Sequence, residues 1–532
     1  MEEQKSSIFP AGITELKNII TENIPFMKEK ESEYADKYKL EKQHDKGKLH
    51  AIERITMILD KDTFKEIGSR VTNHKSALGL SEDTLPYDGV ITGYGFVKGQ
   101  KVYIYSQDFT VMGGTLGNEH GKKIAHVIEL AIKTKCPVIG INDSGGARIQ
   151  EGVNSLAGYG DIFYMNTLAS GFIPQISIIA GPCAGGAVYS PGITDFIFTI
   201  DEVSNMFVTG PKVIKSVTNE TVTAEELGSA RVHSTTSGVA HFRYESEEKC
   251  YEGVRNLVDM LPQYYGDRRT FKQEPYINKN QKALDSILPV RMSQSYDMRL
   301  VIAEMFDKDS FIEVQSEFAQ NIVVGFAKLS NITVGVVGSQ PSYAAGSLDC
   351  DASDKGARFI RFCDSYNIPI ITLVDVPGFM PGVNQEMKGI IRHGAKLLYA
   401  YSEATTIKLT VVLRKAYGGA YIAMCSKHLR ADYVYAWPSA EIAVMGAEGA
   451  VEIIHSKELK SVPKGQIGEF INAKAAEYRD SCMNGELAAK YGYVDEIIEP
   501  SETRERLYSD LIMLRGKSEL TVVRKKHGNI PL

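Results

Sequence analysis

Two glycine pairs are placed where the main chain, not a side chain, could do chemistry. They are Gly185-Gly186 in GPCAGGAVYSPG (181–192) and Gly418-Gly419 in RKAYGGAY (414–421). The first lies in a window from Ile162 to Thr194 that holds no charged residue, so no acid or base sits beside it. Each pair follows a short apolar run and precedes small residues suited to a helix, the plan of a strand, a turn and a helix start. Glycine lets a ligand come close to backbone N–H groups. Amides that open a helix lack acceptors inside it and carry the positive end of its dipole. Aimed at a developing oxyanion, each such donor is worth about 2.7–4 kcal/mol in the transition state. A single Gly-Gly would serve equally for tight strand–helix packing; its recurrence favours the chemical reading.

A second constellation is DSGGARIQEG (143–152), after the apolar run VIGIN. Here Gly145-Gly146 could cradle a phosphate or lie along an extended ligand, with Arg148 supplying charge. The run matches neither a Walker-type phosphate loop nor a dinucleotide fingerprint. The same residues suit a strand–turn–helix corner capped by Asp143. HSTTSGVAH (233–241) sets no Asp or nucleophile beside its histidines, so it is no triad. Glu119-His120 with His126 lacks ligand spacing, and no metal is expected.

The elements that position these turns come twice. DKDTFKE (60–66) recurs as DKDSFIE (307–313), an offset of 247. Ser106-Gln107 then faces Ser339-Gln340, Lys122 faces Lys355, Asp143 faces Asp375, and Gly185-Gly186 faces Gly418-Gly419, at offsets of 232 or 233. The fall in offset puts extra residues in the first copy, around Asn73–Pro86. The chain therefore reads as two copies of one α/β domain, an internal repeat joined through the polar stretch Pro262–Leu288. Within each copy VYIYS and TVGVVGS read as strands, as do PVIGIND and PIITLVD, and ISIIAG and LTVVLR. GKKIAHVIELAIKT (121–134) spaces its apolar residues as an amphipathic helix. Ile13 to about Leu49 reads as a surface or interface helix outside the chemistry.

Bulk properties set limits. With 532 residues, two large domains are expected. The formal charge of −6 gives no general invitation to nucleic acid or an anionic membrane. Seven cysteines without a C-x-x-C pair argue against a disulfide framework or zinc ribbon. MEEQKSSIFP has no apolar signal core and the apolar runs elsewhere are short, so a cytoplasmic chain without a membrane span is expected.

The motifs QDFTVMGGTLGNEHGKKI (107–124), INDSGGARIQEGV (141–153), GPCAGGAVYSPGITDF (181–196), VDVPGFMPGVNQE (374–386), RKAYGGAY (414–421) and YAWPSAEIAVMGAEGA (435–450) resemble one family. It is that of the carboxyltransferase subunits of biotin-dependent acyl-CoA carboxylases, of the propionyl-CoA carboxylase β and methylmalonyl-CoA decarboxylase α type. The resemblance runs to the terminal KHGNIPL (526–532). It implies two tandem crotonase-like (ClpP/crotonase) domains: an N-terminal one over 1–265 that binds acyl-CoA and a C-terminal one over 285–532 that binds biotin. It further implies a homo-hexamer, with each site between the N-terminal domain of one subunit and the C-terminal domain of another.

Carried onto this sequence, the resemblance gives Gly185 and Gly186 the thioester enolate, and Gly419 and Ala420 the biotin ureido oxygen. Ser144, Gly145, Gly146, Ala147 and Arg148 would lie against CoA, and Gly418, Tyr421, Pro377 and Gly378 would lie against biotin. In the family mechanism carboxybiotin releases CO2, biotin takes the α-proton of the acyl-CoA, and the enolate captures CO2, so no side-chain catalyst is needed. No AMKM biotinylation sequence is present, so biotin must arrive on a biotin carboxyl carrier protein. A biotin carboxylase subunit is the implied partner, or a membrane pump subunit if the reaction runs as a decarboxylation. Propionyl-specific members carry Asp where Ile422 stands here, which leaves the acyl group open. A crotonase-type hydratase and a non-enzymatic CoA-binding scaffold are the competing readings from other classes.

Overall fold

PVIGIND and PIITLVD become interior strands of two sheets in a computed structural model that describes residues 43–73, 85–267, 275–276, 281–517 and 527–532. The first sheet is built from β1 (Lys65–Ile67), β2 (Val90–Val97), β3 (Gln100–Gln107), β4 (Val138–Ser144), β5 (Gln175–Ala184), β6 (Phe196–Ile200), β7 (Asn205–Phe207) and β8 (Phe242–Tyr244). The second comprises β9 (Ile312–Val314), β10 (Ile322–Leu329), β11 (Ile332–Ser339), β12 (Ile370–Val376), β13 (Lys408–Tyr417), β14 (Tyr433–Ala436), β15 (Glu441–Ala443) and β16 (Glu496–Ile497). Strand order is β1-β2-β3-β4-β5-β6-β8 with β7 on β5, and the second sheet repeats it strand for strand, with β15 on β13. The first three strands of each sheet are antiparallel and the rest parallel. Every residue of β4 and β12 is buried, which is why both read as largely apolar runs up to Asn142-Asp143 and Asp375.

Eight helices carry or flank the glycine turns and the seam between the halves. They are α1 (Ala51–Ile58), α2 (Asn118–Thr134), α3 (Val153–Ala169), α4 (Tyr189–Ile193), α5 (Glu247–Met260), α6 (Cys350–Ser365), α7 (Ile390–Glu403) and α8 (Gly418–Ala423). The expected amphipathic helix is α2, which buries Ile124, Val127, Ile128 and Ala131. The internal repeat is thus present in the fold, and the repeated DKD motif has a structural reason. Asp60 accepts from the amides of Lys98 and Gly99 at the tip of the β2–β3 hairpin. Asp307 accepts from Ser330 and Asn331 at the tip of β10–β11. All four tip residues have positive φ, the signature of a two-residue hairpin turn. The extra residues of the first copy fall between β1 and β2, over 68–89 against 315–321 between β9 and β10. Residues 74–84 of that stretch lie outside the described residues, as do much of the joining stretch and the N-terminal segment up to residue 42.

Two equivalences shift by a residue. β3 and β11 align at an offset of 232, so Ser339, whose Oγ accepts from the Asp375 amide, takes the place of Gln107, whose Oε1 accepts from the Asp143 amide, and not of Ser106. The second is the buried lysine. Lys355 is buried on α6, its Nζ donating to the carbonyls of Gln315 (2.9 Å), Phe318 (2.8 Å) and Ile322 (2.9 Å). Its counterpart is Lys123, which donates to Tyr87 (3.0 Å) and Val90 (2.5 Å), and not Lys122, which faces outward to Glu119. The strand and helix offset here is 232, and one residue on a helix is about a 100° turn.

The two halves share an aromatic seam. Phe196 of β6 packs edge-on against Phe362 of α6 (4.7 Å between centroids) and Phe326 of β10 (5.9 Å). Arg243 forks onto Glu317 with two 2.9 Å bonds, and Arg358 donates to the Thr194 carbonyl. His241 lies in this seam, its ring against Phe196 and its Nδ1 accepting from the Ile197 amide, a packing role. All seven cysteines are unpaired. Among the described residues no helix is long and apolar enough to cross a membrane, and no cluster of ligating side chains is placed to hold a metal.

Candidate active site

β5 ends at Ala184 and β13 at Tyr417, and the next residue in each half takes the same left-handed turn: φ is +62° at Gly185 and +60° at Gly418. An L side chain is disfavoured there, so the glycines are required by the path of the chain. The chain then enters a helical turn at once, Gly185–Val188 leading into α4, and α8 itself in the second half. The amides of Gly186 and of Gly419 and Ala420 fall in those opening turns, where intrahelical acceptors are lacking. Short strands cover both turns, with the Val208 carbonyl over Gly185 and the Val444 carbonyl, closer in, over Gly418.

The second constellation lies against the first. The β4–β5 ladder slips between Asn142 and Ser144, and the β12–β13 ladder between Val374 and Val376, so both loops leave their sheets through the same irregularity. Ser144 is buried and its Oγ accepts from the Gly146 amide at 3.2 Å. A side chain on Gly146 would meet the Ala184 carbonyl at 2.9 Å, so this loop touches the residue before Gly185. Gly145 is exposed, and Ala147 bridges to Leu116. In the second half the half-buried Pro377 and Gly378 take this place; the Gly378 carbonyl accepts from Leu348 as the Gly146 carbonyl accepts from Leu116.

Three expected site residues sit differently from what their types imply. Arg148 offers no charge to a ligand: its side chain is 0% exposed and is taken up by Asp88 (2.5 Å), Glu151 (2.7 Å) and the Thr115 carbonyl (2.9 Å). It locks the loop from below. Tyr421 is buried with its ring edge-on to His428. Ala420 is fully buried, its methyl group packed in the core. Ile422 is half-buried on α8.

The structure adds residues that the motifs did not single out. The Tyr159 ring of α3 lies directly under Gly186, 3.1 Å from where a side chain would begin. Phe379 lies under Gly419 at 3.9 Å. Lys48 and Arg54 converge on Asp143 at 2.6 and 3.0 Å, so the end of the expected surface helix is buried beside the site. Burial raises the Asp143 carboxyl and lowers the Lys48 ammonium from their ordinary values. The repeat held a signal for this cluster, since Asp143 and Asp375 align in it.

Exposed apolar side chains flank both loops. Ile149 (84% exposed), Val153 and Leu156 follow the first, and Val383, Met387 (86%) and Ile391 follow the second.

Comparison with known proteins agrees with this geometry. The carboxyl transferase domain family matches residues 42–530. The chain is 53% identical to the propionyl-CoA carboxylase carboxyltransferase subunit of Haloferax mediterranei, over 92% of this chain and 95% of that one. It is 50% identical to the methylmalonyl-CoA decarboxylase subunit alpha of Propionigenium modestum, over 93% and 95%. Its structure is similar to that of transcarboxylase 12S, described as a hexamer with methylmalonyl-coenzyme A bound (TM-score 0.92, 46% identity, 96% and 98% covered). The chain belongs to the carboxyl transferase domain family, and it is an acyl-CoA carboxyltransferase with two crotonase-like halves.

Proposed function

We propose that the chain moves CO2 between biotin, carried on a separate carrier protein, and the α-carbon of a short acyl-CoA, as the carboxyltransferase subunit of an acyl-CoA carboxylase. The half over residues 1–265 takes the acyl-CoA and the half over 285–532 takes biotin. One observation carries the reading: two turns of the same left-handed conformation end the equivalent strands β5 and β13, and neither contains an acid, base or nucleophile.

The amides of Gly185 and Gly186 hold the thioester oxygen, and those of Gly419 and Ala420 hold the ureido oxygen. Because the donors are fixed by the fold, they need no reorganisation when charge develops. The turn at Gly418 suits biotin's flat, neutral ring, since Gly419 is exposed and the nearest side chain beneath it is Phe379. Biotin supplies the carboxyl group. Ser144, Gly145, Gly146 and Ala147 line the CoA side, with Arg148 holding their loop. Pro377 and Gly378 flank the biotin side, with Tyr421 supporting α8 from within.

The apolar side chains beside each loop favour assembly in which the first half of one subunit meets the second half of another, as a homo-hexamer. A biotin carboxyl carrier protein and a biotin carboxylase subunit are the partners, and the cytoplasm is the compartment, in keeping with seven unpaired cysteines. A second reading runs the same half-reaction backwards, with a membrane pump subunit as partner; near-equal identity to carboxylase and decarboxylase relatives favours keeping it.

The test is to incubate the purified chain with free biotin and malonyl-, methylmalonyl- or glutaconyl-CoA and to measure release of CO2. Biotin-dependent decarboxylation of methylmalonyl-CoA is expected. No biotin-dependent loss from any of the three overturns the proposal. Co-purification of an ATP-dependent biotin carboxylase or of a polytopic membrane subunit decides the direction.

A further inference from the structure

Asp143 and Asp375 hold the same place in the two halves, and both are buried, yet the cations that meet them come from different parts of the chain. Asp375 Oδ2 accepts from Arg414 Nε at 2.8 Å, and Arg414 belongs to the neighbouring strand β13. Its Nη1 donates to the Gln294 carbonyl and its guanidinium lies 4.7 Å over the Tyr296 ring. The ladder registers pair Ser144 with Cys183 and Val376 with Ala416, so the counterpart of Arg414 on β5 is Gly181. A side chain at Gly181 would overlap Asp143 Oδ1 and come within 2.6 Å of Lys48 Nζ. The strand thus yields its room to cations from outside the sheet. Lys48 reaches Asp143 from the segment before α1, and Arg54 reaches it from α1. Arg54 also binds the Ala180 carbonyl (2.8 Å) and Glu247 of α5 (2.9 Å), which ties α1, β4, β5 and α5 together.

We propose that Lys48 and Arg54 are positioning residues for the acyl-CoA half-site alone, and that Arg414 is the positioning residue for the biotin half-site alone. Each cation pins the aspartate from which the loop beside a glycine turn departs: Asp143 leads into Ser144–Arg148, and Asp375 into Pro377-Gly378. The two half-sites are therefore held by separate devices, and the N-terminal segment tunes only one of them. The inference rests on the proposed assignment of acyl-CoA to the first half and biotin to the second.

The test uses the full assembled chain and two-substrate kinetics, varying free biotin and methylmalonyl-CoA. Lys48→Met keeps the side-chain stem and removes the charge. It is expected to raise KM for the CoA thioester about tenfold, as a loop displaced by a fraction of an ångström does, with KM for biotin within about twofold. Arg414→Lys is expected to do the reverse, because a lysine cannot keep both the Nε bond and the stacking on Tyr296. Arg54→Lys is expected to recover most of what Arg54→Met loses. Asp143→Asn, which keeps an acceptor for Arg54, is expected to weaken CoA-thioester binding by calorimetry about tenfold. Substitutions that shift both KM values alike overturn the proposal, as does a lower midpoint in urea with unchanged KM values. Absence of biotin-dependent turnover in the wild-type chain overturns the half-site assignment and this inference with it.

Discussion

In the first half of the molecule the hairpin aspartate Asp60 is held by Arg255, whose side chain is 27% exposed; in the second, Asp307 is held by Arg504, which is 1% exposed. The bonds are alike, since Arg255 also donates to the Ile58 carbonyl and Arg504 to the Met305 carbonyl. The same holds for the loop aspartates, where one cation lies on the strand and the others arrive from an adjoining segment. What the halves keep in common is main-chain geometry: strand order, hairpin tips, the ladder slip and the left-handed glycine. What differs is where the supporting charge comes from and how deep it lies. A buried carboxylate must be met by a cation or donors, but it does not matter from which side the long arm of Arg or Lys approaches.

The largest effect that would sharpen this comparison is expected at the glycine turns. Gly419→Pro removes an amide donor while proline suits the opening turn of a helix. Carboxyl transfer should fall by at least about 10²-fold with unchanged circular dichroism, whereas Gly419→Ala, which keeps the amide, should retain most activity. Normal turnover in the proline variant would break the functional equivalence of the two turns.

Next come the hairpin clamps. Arg504→Ala leaves Asp307 without its buried partner and should destabilise by about 3–5 kcal/mol. Arg255→Ala, at a partly exposed pair, should cost about 1 kcal/mol or less. Urea titration of both variants measures the gap, and equal losses would mean that burial is not what separates the halves.

The seam between the halves gives a pH effect. Burial pushes the Asp195 carboxyl up to about 6, against the pull of Arg358, the Gln175 amide and Tyr366. An aspartate titrates near 3.9 when unfolded, so folding takes up a proton between about 4 and 6. The stability this group contributes is therefore greatest in acid and is lost as pH rises through about 6. Asp195→Asn should remove that dependence and raise stability at pH 8 by about 2–3 kcal/mol relative to pH 4. Parallel melting curves of the two proteins across pH would refute it.

The smallest effect is expected at Ile422. Ile422→Asp should change the ratio of methylmalonyl-CoA to malonyl-CoA turnover by about tenfold, the scale of one methyl group in a pocket. An unchanged ratio rejects Ile422 as the point where the halves cooperate in selecting the acyl group.

Much of this was legible in the residues, for identifiable reasons. The apolar runs of β4, β5, β12 and β13 are buried on both faces, so their strands stand out without any knowledge of neighbours. The glycine turns stood out because a left-handed residue after a strand has few alternatives to glycine. The DKD landmark was visible as a repeat, although its task at the hairpin tips was not. Arg148 illustrates the limit: next to two glycines it reads as a ligand for phosphate, and in the fold it is a buried clamp on Asp88 and Glu151.

The sequence by itself determined the duplication, the α/β class and the two turns, because each is written in local patterns of a few residues. Only the tertiary structure decided that Lys123 and not Lys122 is the buried lysine, since one step along a helix turns the side chain from core to solvent. It alone decided that Lys48 and Arg54 fill the space that Gly181, the counterpart of Arg414, leaves beside Asp143. Long charged side chains reach across elements far apart in the chain, and which of them meets a buried carboxylate is settled by packing, not by spacing.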